Sequence, residues 1–278
     1  MQKGQLVLGV GTIVLALILF FGGKTVLKKE KNAEMTHTAV ESISFEDYEA
    51  QQIKKLMPSE VEQVNLLKSS LKSLQETDTT ARKKILHQLS DFWKNLDNRA
   101  IGAYYHYQQA EVEGSKHALE DAGDILVNVY KSGADSIISN NLITFALRSY
   151  NEAVQKDSND IGLKLKLADV YVQGSSEPMK GISMLKELEQ KHPDNIQLQI
   201  ALGRLSIQSG QLDKAKERFK KVLQLEPQNT EALYFMAITE AQLGHTDEAT
   251  RMFEMCKIIV NNEEFSKEID EIVKSLKK

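Results

Sequence analysis

The feature that most constrains the fold of this chain is a pattern of small residues and phenylalanines that recurs after 34 residues. The recurring positions are Leu202-Gly203, Gly210, Ala215 and Phe219, followed by Met236-Ala237, Gly244, Ala249 and Phe253. A constant period of this length indicates one supersecondary unit per repeat, each stacked on its neighbours. The pattern therefore predicts an array of similar units rather than a single irregular core.

The residue types within one period are those of two antiparallel helices. Helices approach closely only where side chains are small, as at Gly203 and Ala215, and Phe219 fills the space beyond them. Gly210 is suited to the short turn between the helices. Pro227 ends the second helix because a proline ring cannot continue the hydrogen-bond ladder. An upstream copy contains Leu167-Ala168, Gly181, Leu185 and Pro193, with about one extra residue in its loop.

This pattern resembles the tetratricopeptide repeat family. The resemblance implies an all-α chain with three repeats over residues 161–262 and two degenerate repeats over 84–160, followed by a capping helix over 263–278. The degenerate repeats match only in part, at Ala103, Tyr107 and Ala110, and again at Ala122-Gly123, Ala146, Tyr150 and Ala153. Residues 44–83 are predicted to form a helical N-terminal segment, with capping boxes at Ser44 and Ser59.

The N-terminal residues 1–23 are predicted to be an uncleaved transmembrane anchor that precedes the α-solenoid. Residues 4–23 contain no charge and lie between Lys3 and Lys24. A helix of this length spans about 30 Å, the hydrocarbon thickness of a bilayer. A cleaved signal peptide is the main competing interpretation, but its apolar region is shorter and its cleavage site has small residues. Polar residues 24–43 are predicted to form a flexible tether.

The side of the membrane occupied by the repeats is left open by the sequence. More lysines follow the apolar segment than precede it, which favours a cytoplasmic domain under the positive-inside rule. Segments of this kind also act as signal anchors that export the downstream domain, which would place the repeats in the periplasm. We expect a single-pass protein of a bacterial inner membrane, with the lysine count favouring the cytoplasmic side.

Composition and motifs argue against several classes of function. The first 31 residues carry five lysines and one glutamate, so the rest of the chain is more acidic than the net charge of −4. Such a surface is unsuited to nucleic acid. Cys256 is the only cysteine, and the six histidines form no metal-binding motif. The chain also lacks a phosphate loop and a nucleophile elbow. We therefore predict no catalytic residue, no metal and no cofactor.

One enzymatic alternative places a hidden site in the degenerate segment, where core packing is the competing interpretation. Its residues would be Trp93, Tyr104, Tyr105, His106 and Tyr107.

The resemblance implies a concave groove, lined by the first helix of each pair, that binds a protein or peptide partner. The groove residues implied are Asp169, Val172, Gln197, Ile200, Arg204, Gln208, Glu231, Tyr234, Ile238 and Gln242. Amide, charged and apolar groups together suit an extended or helical peptide. Some family members bind acidic chaperone tails through Lys and Asn at groove positions. Here Asp169, Arg204 and Ile238 occupy them, so chaperone-tail binding is not predicted.

Two functions follow from an anchor combined with repeats. The first is a membrane-tethered scaffold or adaptor, whose anchor raises its effective concentration near a membrane-bound partner. The alternative is a chaperone-like accessory protein associated with the bacterial Sec translocon, which has a similar layout. The sequence does not identify the partner and does not indicate a homo-oligomer.

Overall fold

The computed structural model describes residues 43–133 and 136–276, and within them every regular element is a helix. The helices are α1 Phe45–Ile53, α2 Pro58–Ser73, α3 Thr79–Asn95, α4 Arg99–Glu113, α5 Lys116–Lys131, α6 Ser136–Lys156, α7 Ile161–Gly174, α8 Pro178–Lys191, α9 Ile196–Gln208, α10 Leu212–Leu225, α11 Thr230–Gln242, α12 Thr246–Val260 and α13 Glu263–Leu276. The predicted all-α class is confirmed for these residues. The predicted anchor and tether lie outside them.

The described helices divide into two compact units whose boundary falls within α9. The N-terminal unit contains the described residues up to 202, and the C-terminal unit contains residues 203–276. None of the helices in either described unit is long and apolar enough to cross a membrane.

Consecutive helices pack as antiparallel pairs. The most extensive contacts join α3 to α4, α5 to α6 and α7 to α8 in the N-terminal unit, and α11 to α12 in the C-terminal unit. We call α3, α5, α7, α9 and α11 the first helices and α4, α6, α8, α10 and α12 the second helices. Helix α13 packs against α12 and buries Phe265, Ile269 and Val273, so the end of the last pair is covered.

Small residues and aromatic rings meet where the helices of a pair cross. A Cβ atom placed on Gly203 would lie 2.5 Å from Cζ of Phe219, and one on Gly123 would lie 2.5 Å from Cε1 of Tyr150. Both rings are buried. The glycines are therefore required by the close approach of a ring to the backbone, which is the packing that the sequence pattern predicts.

The ends of the helices follow local chemistry, with one difference from the sequence prediction. The Ser44 hydroxyl accepts a hydrogen bond from the Asp47 amide, as expected. Helix α2 has Met57 as its N-cap instead of Ser59, because Pro58 is the first helical residue, and the Glu60 carboxylate accepts a hydrogen bond from the Met57 amide at 2.8 Å. Helix α12 ends at Val260, and its C-cap Asn261 has φ of 46°, a left-handed conformation that asparagine tolerates.

Helix α1 packs against the second helices α4 and α6. The Phe45 ring centroid lies 3.7 Å from that of Tyr104 and 5.9 Å from that of Phe145. The buried carboxylate of Glu49 accepts a hydrogen bond from the Tyr105 hydroxyl at 2.6 Å and forms an ion pair with Lys68 of α2. Apolar and ionic contacts together therefore fix α1 in the N-terminal unit.

Replacement of Gly203 by alanine is expected to destabilise the protein by about 1–3 kcal/mol, because the new methyl group overlaps the Phe219 ring. Urea unfolding followed by circular dichroism measures the loss. The control is Gly162→Ala in α7, where the nearest atom to a new Cβ is 3.4 Å away. That change should be neutral or stabilising by up to about 1 kcal/mol, since alanine favours the helix. Equal effects of the two substitutions would contradict the packing described.

Candidate functional site

In the N-terminal unit, the predicted groove residues are mostly engaged or buried. Asp169 is half-buried, and its carboxylate is 3.5 Å from Nζ of Lys131 and accepts a hydrogen bond from Gln173. Val172 is half-buried, Gln197 is exposed and Ile200 is buried. Only Gln197 thus offers a largely exposed side chain.

Other carboxylates on the first helices of this unit are also neutralised. Lys166 of α7 places its Nζ 2.8 Å from Glu120 and 2.7 Å from Asp124, both on α5. Asp124 also accepts a hydrogen bond from the Tyr150 hydroxyl at 2.6 Å. Neighbouring first helices are therefore joined by ion pairs, and their carboxylates already have partners within the chain.

In the C-terminal unit, four of the six predicted residues reach solvent. Gln208, Glu231 and Gln242 are exposed and Arg204 is half-buried. The other two, Tyr234 and Ile238, are 2% and 6% exposed.

Tyr234 faces the helix packing rather than the solvent. Its ring meets that of Phe253 edge-on at 5.6 Å, and burial raises the pKa of its hydroxyl. That hydroxyl has no hydrogen-bond partner within residues 43–133 and 136–276. Tyr234 therefore acts in the packing of α11, and its side chain is not presented to a ligand.

Phe235 is half-buried and is the aromatic residue of α11 that reaches solvent. It follows Glu231 by four residues and precedes Ile238 by three, so these side chains share one face. The Arg204 guanidinium lies 5.3 Å from the centroid of its ring. The ring also stacks on that of Phe219 at 5.9 Å, which fixes its orientation.

Helix α13 adds the carboxylates of Glu264, Glu268 and Glu271. These residues are four and three positions apart, so they lie on one face of the helix. Burial and the neighbouring charges of Glu264 and Glu271 raise the pKa of the Glu268 carboxyl. Glu268 is close enough to α11 for its charge to raise the pKa of Tyr234. Although Glu231 is exposed as a residue, crowding around its carboxylate removes hydration and raises its pKa, and Arg204 opposes that rise.

Because α13 follows α12 as α11 follows α10, we count α13 with the first helices and call these groups the first-helix surface of the C-terminal unit. Its members are Arg204, Gln208, Glu231, Phe235, Gln242, Glu264, Glu268 and Glu271. Four carboxylates against one guanidinium give it a negative charge. The sequence pattern missed Phe235 and the α13 carboxylates, although their i, i+4 and i+7 spacing was a usable signal.

The aromatic segment considered as a hidden catalytic site forms part of the core. Trp93 and Tyr107 are each 1% exposed, and the Tyr105 hydroxyl is bonded to Glu49. Among residues 43–133 and 136–276, no three histidine, cysteine, aspartate or glutamate side chains are grouped to hold a metal ion. Cys256 is buried, and burial raises the pKa of its thiol to about 12, which disfavours the reactive thiolate.

Several solved structures are similar to this chain. TTC0263, a thermophilic TPR protein in Thermus thermophilus, is 18% identical, with a TM-score of 0.49 over 70% of this chain and 98% of that one. YrrB, described as a TPR protein with an unusual peptide-binding site, is 15% identical, with a TM-score of 0.41 over 67% and 91%. MamA from Desulfovibrio magneticus RS-1 is 14% identical, with a TM-score of 0.44 over 67% and 97%.

No curated protein matches the sequence. The family model described as tetratricopeptide repeat matches residues 180–222 and 207–257. These ranges include the pair in which Gly203 meets Phe219. They also include most of α12, where Ala249 and Phe253 are buried. Residues 180–257 therefore carry tetratricopeptide repeats, as the sequence pattern predicted for this part of the chain.

Proposed function

We propose that this protein is a membrane-tethered scaffold whose first-helix surface binds a basic peptide segment of a partner protein. The observation that carries the proposal is the charge of that surface. Glu231, Glu264, Glu268 and Glu271 are balanced by Arg204 alone within it. Burial is the main cause of the raised pKa of Glu268, and repulsion from Glu264 and Glu271 adds to it; a Lys or Arg side chain of the partner would relieve that repulsion.

The remaining groups suit a peptide chain. Gln208 and Gln242 are exposed amides that can both donate to and accept from a peptide backbone. Phe235 is held by Phe219 and offers a ring face or edge to an apolar or cationic side chain. The surface combines fixed aromatic area with adaptable polar groups and charge, and this combination favours peptide binding.

The anchor proposed for residues 4–23 would confine this surface to the vicinity of a membrane. A tethered domain meets membrane-bound partners at a raised effective concentration, so modest affinity is sufficient for binding. We propose a bacterial inner membrane with the repeats on the cytoplasmic side, following the lysine count. A chaperone-like or translocon-associated role stays a prediction from the sequence layout.

A fluorescent 12-residue peptide with alternating lysine and leucine is expected to bind the full chain, and its acidic counterpart is not. The triple variant Glu231→Lys, Glu264→Lys and Glu271→Lys should weaken binding about tenfold, since each ion pair contributes roughly 0.5 kcal/mol.

Added salt should also weaken binding. As pH falls through its raised pKa, Glu268 should lose its charge before an unperturbed glutamate does. Fluorescence anisotropy measures each effect.

The matched control is Asp213→Lys, Glu217→Lys and Asp247→Lys, which makes the same charge change at exposed positions of the second helices. It should retain most of the affinity. Equal weakening by the two triple variants, or equal binding of acidic and basic peptides, would contradict a specific first-helix surface.

The full chain is expected to sediment with membranes and to resist carbonate extraction, whereas a variant lacking residues 4–23 should be released. Added protease should digest the repeats only after the inner membrane is opened. Cell fractionation and immunoblotting provide both measurements. A soluble full chain would contradict the anchor, and digestion after permeabilisation of the outer membrane alone would place the repeats in the periplasm.

A further inference from the structure

A second surface follows from comparing equivalent grooves in the two units. In the N-terminal unit, the groove between the second helices α4 and α6 is filled by α1. Its Phe45 ring contacts Tyr104 on one side and Phe145 on the other. This groove therefore has the width and apolar character needed to receive one amphipathic helix.

The equivalent groove of the C-terminal unit lies between the second helices α10 and α12. The repeat pattern matches Ala103 with Ala215 on one wall and Ala146 with Ala249 on the other. Lys216 consequently takes the place of Tyr104, and Glu248 takes the place of Phe145. Both side chains line an open cavity of about 580 Å³. The groove that holds α1 in one unit is thus an open cavity in the other.

The cavity combines apolar surface from Leu223, Met236 and Met252 with an internal carboxylate that is already paired. Glu240 from α11 is 2% exposed, and its two oxygens lie 2.7 Å from Nζ of Lys216 and 2.7 Å from Nδ1 of His245. Burial acts to raise the pKa of Glu240, but Lys216 and His245 more than offset it, so the carboxyl pKa is lowered and the group stays ionised. Since this carboxylate already has its partners, the contacts that the base of the cavity offers to a ligand are chiefly the apolar ones of Met236 and Met252.

An apolar row extends beyond the cavity along α12. Met252, Met255 and Ile259 follow one another at intervals of three and four residues, and the last two are 47% and 36% exposed. About two turns of a ligand helix could lie along this row. On the opposite wall, Lys220 is exposed and has no ion-pair partner within the part of the chain that the structure describes.

We propose that the groove between α10 and α12 binds an amphipathic helix from a partner protein. The ligand would insert an aromatic or large aliphatic side chain between the two second helices, as Phe45 does in the N-terminal unit. It would place an acidic side chain against Lys220, which is exposed and stands where the N-terminal unit has the neutral Gln108. This second-helix groove uses none of the residues of the first-helix surface, so the two proposals can fail separately.

Helix α1 supplies the probe, since it has the required anchor and two acidic residues, Glu46 and Asp47, in its first turn. A fluorescein-labelled peptide of residues 44–54, stapled on the face away from Phe45, is titrated with the full chain in lipid nanodiscs. Anisotropy should rise to saturation. Lys220→Glu should weaken binding about fivefold, as expected for loss of one ion pair and its replacement by repulsion.

Two controls make the experiment decisive. Lys214→Glu makes the same charge change on α10 but outside the cavity lining, and it should leave the affinity unchanged. A peptide in which Glu46 and Asp47 are replaced by lysine should bind the Lys220→Glu variant better than it binds the native chain. Restoration by complementary charge cannot arise from a folding defect.

Three results would overturn the proposal. The first is the absence of saturable binding by the stapled peptide. The second is binding that Lys220→Glu leaves unchanged, which would place the peptide in another groove. The third is self-association of the full chain, seen by light scattering, that Lys220→Glu abolishes, since a second copy would then be the occupant.

Discussion

Contact between a helix backbone and an aromatic ring is the interaction on which the rest of this structure depends. Gly203 meets Phe219 and Gly123 meets Tyr150 at a distance that leaves no room for a Cβ atom. Interiors are packed too tightly to absorb such a change without strain. Because the contact occurs in the α5–α6 pair and again in the α9–α10 pair, it sets how closely the first helix approaches the second helix in each of these pairs. It also determines which side chains remain at the surface for binding.

The sequence was sufficient to predict the helix pairs because their packing positions admit few residue types. A glycine or alanine opposite a large ring is a narrow requirement, and its recurrence after 34 residues is readily detected. The binding surface was harder to predict because exposed positions tolerate many residues. A shift of one residue turns a side chain by about 100° around a helix, which is why the pattern points to Tyr234 although Phe235 is the neighbour that reaches solvent.

Contacts between distant segments could not be read from the repeat pattern. The packing of Phe45 between Tyr104 and Phe145 joins segments far apart in the chain, and nothing in the period of 34 residues specifies it. The negative charge of the first-helix surface has a similar origin. Lys166 neutralises Glu120 and Asp124 in the N-terminal unit, whereas Glu264, Glu268 and Glu271 crowd together on α13. The same architecture therefore carries different chemistry in each unit.

The central claim is that the first helices of the C-terminal unit present the binding surface for a basic segment. Hydrogen–deuterium exchange of the full chain, with and without a lysine-rich peptide, tests it most directly because protection is located along the sequence. The account predicts slower exchange in α11 and α13 and little change in α10 and α12. Protection confined to α10 and α12, or no protection at saturating peptide, would contradict it.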